Sequence, residues 1–133
     1  MPTRYPGSPV ETAVLDAYIK LMRAAEAITS RVGGVMAEAA LTICQFGVLE
    51  ALLHHGPLCQ RDLGAKLLRS DGNTAVVVAN LVRRRLVEQE RRRDDRRFVM
   101  VSLTAAGRRL IEAIFPRHVA GLVREMDLSL IHI

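Results

Sequence analysis

The sequence predicts a mainly α-helical fold that carries one small β-hairpin. Three observations predict it. Aromatic residues make up 4% of the chain and Trp is absent, so a core must be built from Leu, Val, Ile, Ala and Met. Apolar residues recur at helical spacing along several segments. The period then switches to strict alternation on both sides of one charged tip, between Leu86 and Leu103. The chain has 133 residues, half of them hydrophobic, which suits a single domain over 1–133 with its own core.

Residues 1–9 hold three prolines and a glycine and read as a loose arm. From Val10 to about Arg31, Leu15, Tyr18, Ile19, Met22, Ala25 and Ile28 form an apolar stripe, with Glu11, Asp16, Lys20, Arg23 and Glu26 elsewhere. Gly33-Gly34 weakens or ends this helix. A long amphipathic helix cannot bury its stripe alone, so it needs neighbours or a second subunit. Thr42 to His54 is the best-marked helix. Thr42 and Gln45 form a capping box, Leu41 and Phe46 a hydrophobic staple, and Gly56-Pro57 a stop. A short helix follows from about Gln60 to Leu68, with Leu63, Leu67 and Leu68 on one face. Leu68-Arg69-Ser70 is the turn, and Ser70 is a natural N-cap for a third helix running to about Arg84. Two short helices with a tight link, the second ending in basic residues, fit a helix-turn-helix.

The hairpin comes next. Leu86, Glu88 and Glu90 alternate with Val87, Gln89 and Arg91. Beyond the tip, Val99, Val101 and Leu103 alternate with Phe98, Met100 and Ser102. Asp94-Asp95 suits the turn, because Asp side chains bond to backbone two residues on. Eight arginines lie between positions 83 and 97, with four acids among them. Eight minus four is +4, against a formal +5 for the whole chain. Charge this local and one-sided is the footprint of a polyanion partner. A helix followed at once by a basic hairpin outlines a winged helix-turn-helix. The helix would enter a major groove, and the hairpin tip would reach backbone or minor groove. Thr104 caps a final helix with Leu110, Ile111, Ile114, Val119, Leu122 and Val123 as its apolar face; Pro116 should kink it or begin a new turn. The last six residues, Leu128 to Ile133, break its polarity pattern. They match the translation of CTG TCT CTT ATA CAC ATC, a transposon end used in preparing sequencing libraries. They are expected to be a non-native tail after a truncated C-terminal helix, with a short natural apolar tail as the alternative.

Several spaced motifs, in order, carry a resemblance to a known family. Asp95-x-Arg97-x-x-x-Val101-x-Leu103-Thr104-x-x-Gly107 resembles the wing signature of the MarR family of bacterial transcriptional regulators. Leu41-Thr42-x-x-Gln45-Phe46-x-Val48-Leu49 resembles that family's second helix. Gly56-Pro57-Leu58 and Leu63-Gly64 resemble its lead-in to the helix-turn-helix. The resemblance covers about positions 10 to 127. It implies a dimer helix and linker over 10–40, a winged helix-turn-helix over 41–104 and a C-terminal helix over 105–127, with dimerisation through the flanking helices. The chain departs from the family in that Arg85 stands where a Gly usually follows the third helix, which implies strain or a different link. Ala79 and Val82 replace usual acids, and Arg92-Arg93 replaces a proline-containing wing entry.

The resemblance makes Arg97 the wing residue that enters a minor groove and Asp95 the acid that braces it. A two-residue spacing puts both on one side of an extended tip, and Arg suits the deep potential of a narrow groove. The plainer reading is a surface ion pair of little worth. Arg83, Arg84, Arg92, Arg93 and Arg96 are expected at phosphates, where they set affinity and register. Asn73, Thr74, Val76 and Asn80 lie where family members read bases, and Ser70 is expected at the DNA with them; Asn can pair with adenine, and Val or Thr methyls can meet thymine methyls. Val77 and Val78 read as core. Cys44 lies about one turn into the capped helix, where a thiol can be activated toward electrophiles. The sequence around Cys44 and Cys59 is similar to the quinone-responsive branch of the family, whose effectors are small and phenolic or quinone-like. A buried, inert cysteine is the plainer reading.

Other classes find no support. The N-terminus has no apolar signal core and no apolar run spans a bilayer. Two cysteines make neither a disulfide framework nor a metal set, and a cytoplasmic chain with reduced thiols is the simplest reading. His54, His55 and His118 lack metal spacing. No catalytic constellation stands out, so no enzyme and no cofactor are expected. The expected function is a cytoplasmic, homodimeric regulator that binds a pseudo-palindromic double-stranded operator, a repressor relieved by a small aromatic molecule or oxidant. The alternative is a redox-sensing or protein-interaction helical domain that reads no DNA sequence.

Overall fold

The computed structural model describes residues 1–67 and 73–131, with only the helical course given for 128–131. The elements run α1 (Pro9–Val32), α2 (Gly34–Glu38), α3 (Ile43–His55), β1 (Leu58–Cys59), α4 (Gln60–Lys66), α5 (Thr74–Arg83), β2 (Val87–Arg91), β3 (Val99–Leu103) and α6 (Ala105–Ile131). The chain groups into two compact units. One holds residues 1–34 and 120–133, the other residues 35–119. Among the described residues, no single helix is long and apolar enough to cross a membrane.

The larger unit is built around α3. That helix is apolar on nearly all sides, so it is buried rather than amphipathic. Val48, Leu49 and Leu52 are fully buried against Leu63 of α4, Val78 and Leu81 of α5, Val87 and Val101 of the sheet, and Ile111 of α6. Each such side chain contributes on the order of 1.5–3 kcal/mol on burial. The expected capping box is present: Thr42 Oγ1 accepts the Gln45 amide at 3.1 Å, and Gln45 Oε1 accepts the Thr42 amide at 2.9 Å. Leu41 and Phe46, the staple, are both buried. Gly56 ends α3 at φ 77°, a positive φ that favours glycine, and its amide bonds Leu52 O at 3.0 Å.

Two elements here were not expected. The short α2 follows Gly33 at once and closes in a Schellman turn. The Ala40 amide bonds Ala37 O at 3.0 Å, the Leu41 amide bonds Met36 O at 2.9 Å, and Ala40 takes φ 53°. The two-residue β1 pairs antiparallel with β3, Leu58 opposite Val101 and Cys59 opposite Met100. The sheet order is therefore β1-β3-β2, with β2 and β3 in register from Val87↔Leu103 to Arg91↔Val99.

Several boundaries move. α4 stops at Lys66, because Leu67 turns to an extended backbone with φ −71° and ψ 128°. Leu63 is buried as expected, Leu67 is half-buried, and Leu68 lies outside the described residues, as does the turn it was expected to open. Ser70, the expected N-cap of the third helix, is also outside them. The described helix begins at Thr74, and Asn73 is its N-cap, with Oδ1 accepting the Ala75 amide at 3.0 Å. α6 passes through Pro116 as one helix, and its course extends to Ile131. Thr104 caps it as expected, accepting the Gly107 amide at 3.0 Å.

In the smaller unit, α1 starts from a capping box that sequence reading missed. Ser8 Oγ accepts the Glu11 amide at 3.2 Å, and Glu11 Oε1 accepts the Ser8 amide at 3.0 Å. The Ser8 backbone and hydroxyl hold the Glu11 carboxyl below its ordinary range. The expected loose arm instead folds back on α1. The Thr3 amide reaches Asp16 Oδ1 at 2.6 Å, and the Tyr5 ring lies over Gly7, where a Cβ would meet it at 2.4 Å. Val32 is buried beside Gly121, and Arg31 pairs with Glu125 at 3.0 Å. Leu15, Ile19 and Ile28 of the expected stripe are half-buried. Its Tyr18, Met22 and Ala25 are exposed instead, and Tyr18 joins Val10, Val14 and Leu21 in a second, exposed stripe, with Leu21 at 67%.

Candidate nucleic-acid interface

The wing tip is held by two acid–arginine clasps. Asp95 Oδ1 accepts both the Arg97 amide at 3.1 Å and Arg97 Nε at 3.0 Å, and Oδ2 accepts Nη2 at 2.8 Å. The Arg97 side chain is 85% exposed and that of Asp95 26%, so the acid braces the base and the guanidinium projects. Asp94 accepts Arg92 Nε at 2.9 Å, and Arg92 lies over the Phe98 ring at 5.6 Å. The hairpin closes through the Arg92 amide to Phe98 O at 3.0 Å. Hydrogen bonds from these arginines hold the Asp94 and Asp95 carboxyls below their ordinary range, and raise Arg92 and Arg97 in turn. The folded-state values are depressed, so the clasps are fully formed above the ordinary carboxylate range. They are lost only as pH falls through the lowered values.

The eight arginines divide by what they touch. Arg93 and Arg96 stand on the tip with no side-chain hydrogen bond or ion pair among the described residues. Arg91 Nη1 donates to Arg96 O at 2.8 Å. Arg83 bonds the Asn80 amide oxygen, so that oxygen already has a partner within α5. Arg84 is turned away from the tip: its Nη1 donates to Ala40 O at 2.7 Å and its Nη2 to Ala39 O at 2.9 Å. Arg85 takes φ 59°, the left-handed turn expected if an Arg occupies a glycine position. A Schellman pair, the Arg85 amide to Val82 O at 2.9 Å and the Leu86 amide to Leu81 O at 3.0 Å, imposes it. The Thr104 hydroxyl then clamps it, donating to Arg85 O at 2.7 Å.

On α5, Val78 is fully buried and Val77 packs partly against the core, as expected. Val76 is 53% exposed, so its methyls are free to meet another surface. Thr74 is half-buried against α4, where a Cβ on Gly64 would lie 3.0 Å from its hydroxyl; the absence of a Cβ lets the two helices cross closely. A cleft of about 640 Å³ joins the start of α5 to the wing, lined by Cys59, Gln60, Arg61, Gly64, Asn73, Thr74, Arg97, Phe98 and Val99. A smaller cleft of about 320 Å³ shares Cys59, Arg61 and Phe98 and adds Arg92 and Asp62. Arg61 was missed in the sequence. It is a lone basic residue there, and only the pairing of β1 with β3 carries it to the wing. Gln60 is also drawn in, accepting Gln89 Nε2 of β2 at 3.0 Å. Cys59 and Cys44 are free and half-buried; Cys59 precedes α4 in this cleft, and Cys44 is the second residue of α3.

A three-helix core presenting an exposed helix beside a basic, braced β-hairpin defines a winged helix-turn-helix. The MarR family model matches residues 41–97. HTH-type transcriptional regulator MhqR of Bacillus subtilis (strain 168) is 31% identical over 108 residues, 81% of this chain and 74% of MhqR. AbsC, a MarR family transcriptional regulator from Streptomyces coelicolor, superposes with a TM-score of 0.78 at 22% identity, over 95% of this chain and 84% of AbsC. Bordetella bronchiseptica BpsR, whose DNA binding is regulated by 6-hydroxynicotinic acid, does so with a TM-score of 0.67 at 27% identity, over 81% of each chain. The chain belongs to the MarR family. It is a DNA-binding transcriptional regulator, and members of this family are not enzymes.

Proposed function

We propose that the chain is a sequence-specific double-stranded DNA-binding regulator, a cytoplasmic homodimeric repressor that a small phenolic or quinone-like ligand or an oxidant releases from its operator. One observation carries the DNA reading: Asn73 and Thr74 at the start of α5 line one cleft with the projecting Arg97 of the wing. A helix start that carries hydrogen-bonding tips, beside an arginine at hairpin height, meets a major groove and its neighbouring minor groove together. Val76, Arg93 and Arg96 extend that surface with methyls and unpaired cations.

The dimer rests on the second apolar stripe of α1. A contiguous apolar face of this kind marks an association surface. A two-fold pair would set two recognition helices about 34 Å apart on a pseudo-palindrome. The effector class rests on the local resemblance around the cysteines, and BpsR, whose ligand is a hydroxylated aromatic acid, supports it. Selection of bound sequences from a random duplex pool tests the reading. An enriched pseudo-palindrome whose complex a phenolic acid or quinone dissociates is the expected result. A pool that stays random through selection would contradict it. If a quinone releases the parent protein but not Cys44→Ser, the thiol is the sensor; equal release from both moves the effector to a non-covalent site.

A further inference from the structure

Arg84 was expected at a phosphate, yet its guanidinium spends two donors on protein carbonyls. They belong to Ala39 and Ala40, which leave the C-terminus of α2, where carbonyls lack helical partners. Both bonds are short and charge-assisted. The residues they connect are unusual in the same way. Among the described residues, Ala40 and Arg85 are the non-glycine positions with positive φ, at 53° and 59°. Each is the left-handed residue of a Schellman turn, and each turn is anchored by buried residues of one core: Met36 and Leu41 in the first, Leu81 and Leu86 in the second. Arg84 grips Ala40 itself and is bonded covalently to Arg85. The two sparsely populated turns are therefore two ends of one tie. Such conformations persist where the surroundings over-determine them, and here the Thr104 hydroxyl adds a further bond to Arg85 O.

We propose that Arg84 is a positioning residue of the DNA-binding surface: by holding the α2–α3 corner it fixes where α5 ends, and so sets the aim of Asn73, Thr74 and Val76 without touching phosphate. α5 is ten residues long and is fixed at its start by the Gly64–Thr74 crossing. Its other end exits into the wing, so one contact there orients both the helix and the hairpin. Lysine replaces the tie poorly, because the two carbonyls are met by separate nitrogens of one rigid fork, which a single, shorter-reaching ammonium nitrogen does not reproduce.

The inference rests on the DNA-binding reading, and one titration separates the two. Wild type, Arg84→Ala, Arg84→Lys and Arg93→Ala are measured across a salt series on the duplex recovered by selection and on random duplex. Arg84→Ala and Arg84→Lys should each bind the selected duplex about tenfold more weakly at every salt concentration, the scale of one lost base contact. Their slopes of log K against log salt should equal that of wild type. Arg93→Ala should flatten its slope by about 0.9, as loss of a phosphate contact does. If Arg84→Ala flattens the slope likewise while Arg84→Lys binds as wild type, Arg84 is a phosphate contact and the proposal falls. Unchanged affinity in both variants also overturns it. Should Arg84→Ala fail to fold by circular dichroism, Arg84→Lys decides alone, since it keeps the charge and loses only the fork. A wild type that binds no duplex at all defeats the regulator reading and this one with it.

Discussion

Asp95 and Arg97 were legible as a pair because an Asp side chain at a turn bonds the backbone two residues on, and the same carboxylate then reaches the guanidinium of that residue. The structure adds the asymmetry: the acid is shielded, the guanidinium is in solvent, and the Arg97 amide shares the same carboxylate. Arg97→Ala should therefore leave folding almost unchanged and weaken binding to a selected duplex by about 1–3 kcal/mol. A titration that finds equal affinity with intact folding would remove Arg97 from the interface. Arg84 was not legible, because its partners are 44 and 45 residues away and nothing local distinguishes it from Arg83. Asn80 shows the same limit. It is expected at a base, and the structure adds that its oxygen accepts a hydrogen bond from Arg83 within the same helix, which the sequence did not signal.

Elements with two-sided signals were read correctly, and those with one-sided signals drifted. α3 had a cap, a staple and a stop, and its bounds held within a residue. The hairpin had alternation on both sides of a charged tip, and its register follows. α4 and α5 lack such a pair of markers: α4 ends at Lys66, short of the expected Leu68, and Asn73 caps α5, while the expected cap Ser70 lies outside the described residues. β1 has two residues and no period to detect; it exists because β3 has a free edge. The Thr104-x-x-Gly107 motif gains a physical reason. A Cβ on Gly107 would lie 1.9 Å from Leu86 O, the same oxygen that accepts the Thr104 amide at 3.1 Å. Gly107→Ala must push α6 off the base of the wing. It should lower stability by about 3 kcal/mol or more, the range of a backbone clash in a packed core. A denaturation midpoint within error of the parent would show that the junction yields. Across the tip, arginines should differ by their present partners. Arg93→Ala and Arg96→Ala should each flatten the salt slope by about 0.9, and Arg92→Ala by less, because Asp94 and Phe98 hold its guanidinium. Equal flattening by all three would mean that DNA breaks the Asp94 clasp.

At the scale of the whole molecule, the sequence placed nearly all of the excess charge in the wing and its leading helix, and the candidate interface is proposed on that surface. On α1 the sequence marked the half-buried Leu15, Ile19 and Ile28, but Tyr18 and Met22 of the same expected stripe are exposed, and Val10, Val14 and Leu21, which continue the exposed face, were not marked. An apolar stripe open to solvent should drive association, so Val14→Asp with Leu21→Asp should shift the chain toward monomer in sedimentation relative to the parent. A parent that is already monomeric at tens of micromolar would detach the DNA reading from the dimer reading.

The central claim is sequence-specific recognition of double-stranded DNA by the helix and wing together. It is tested most directly by the ratio of dissociation constants for the selected duplex and for the same duplex with its sequence shuffled, at one physiological salt concentration. The account predicts a ratio of about 10³ or more. A ratio near one, with both duplexes bound and both complexes equally sensitive to salt, would mean that the basic tip binds phosphate alone and that α5 reads nothing.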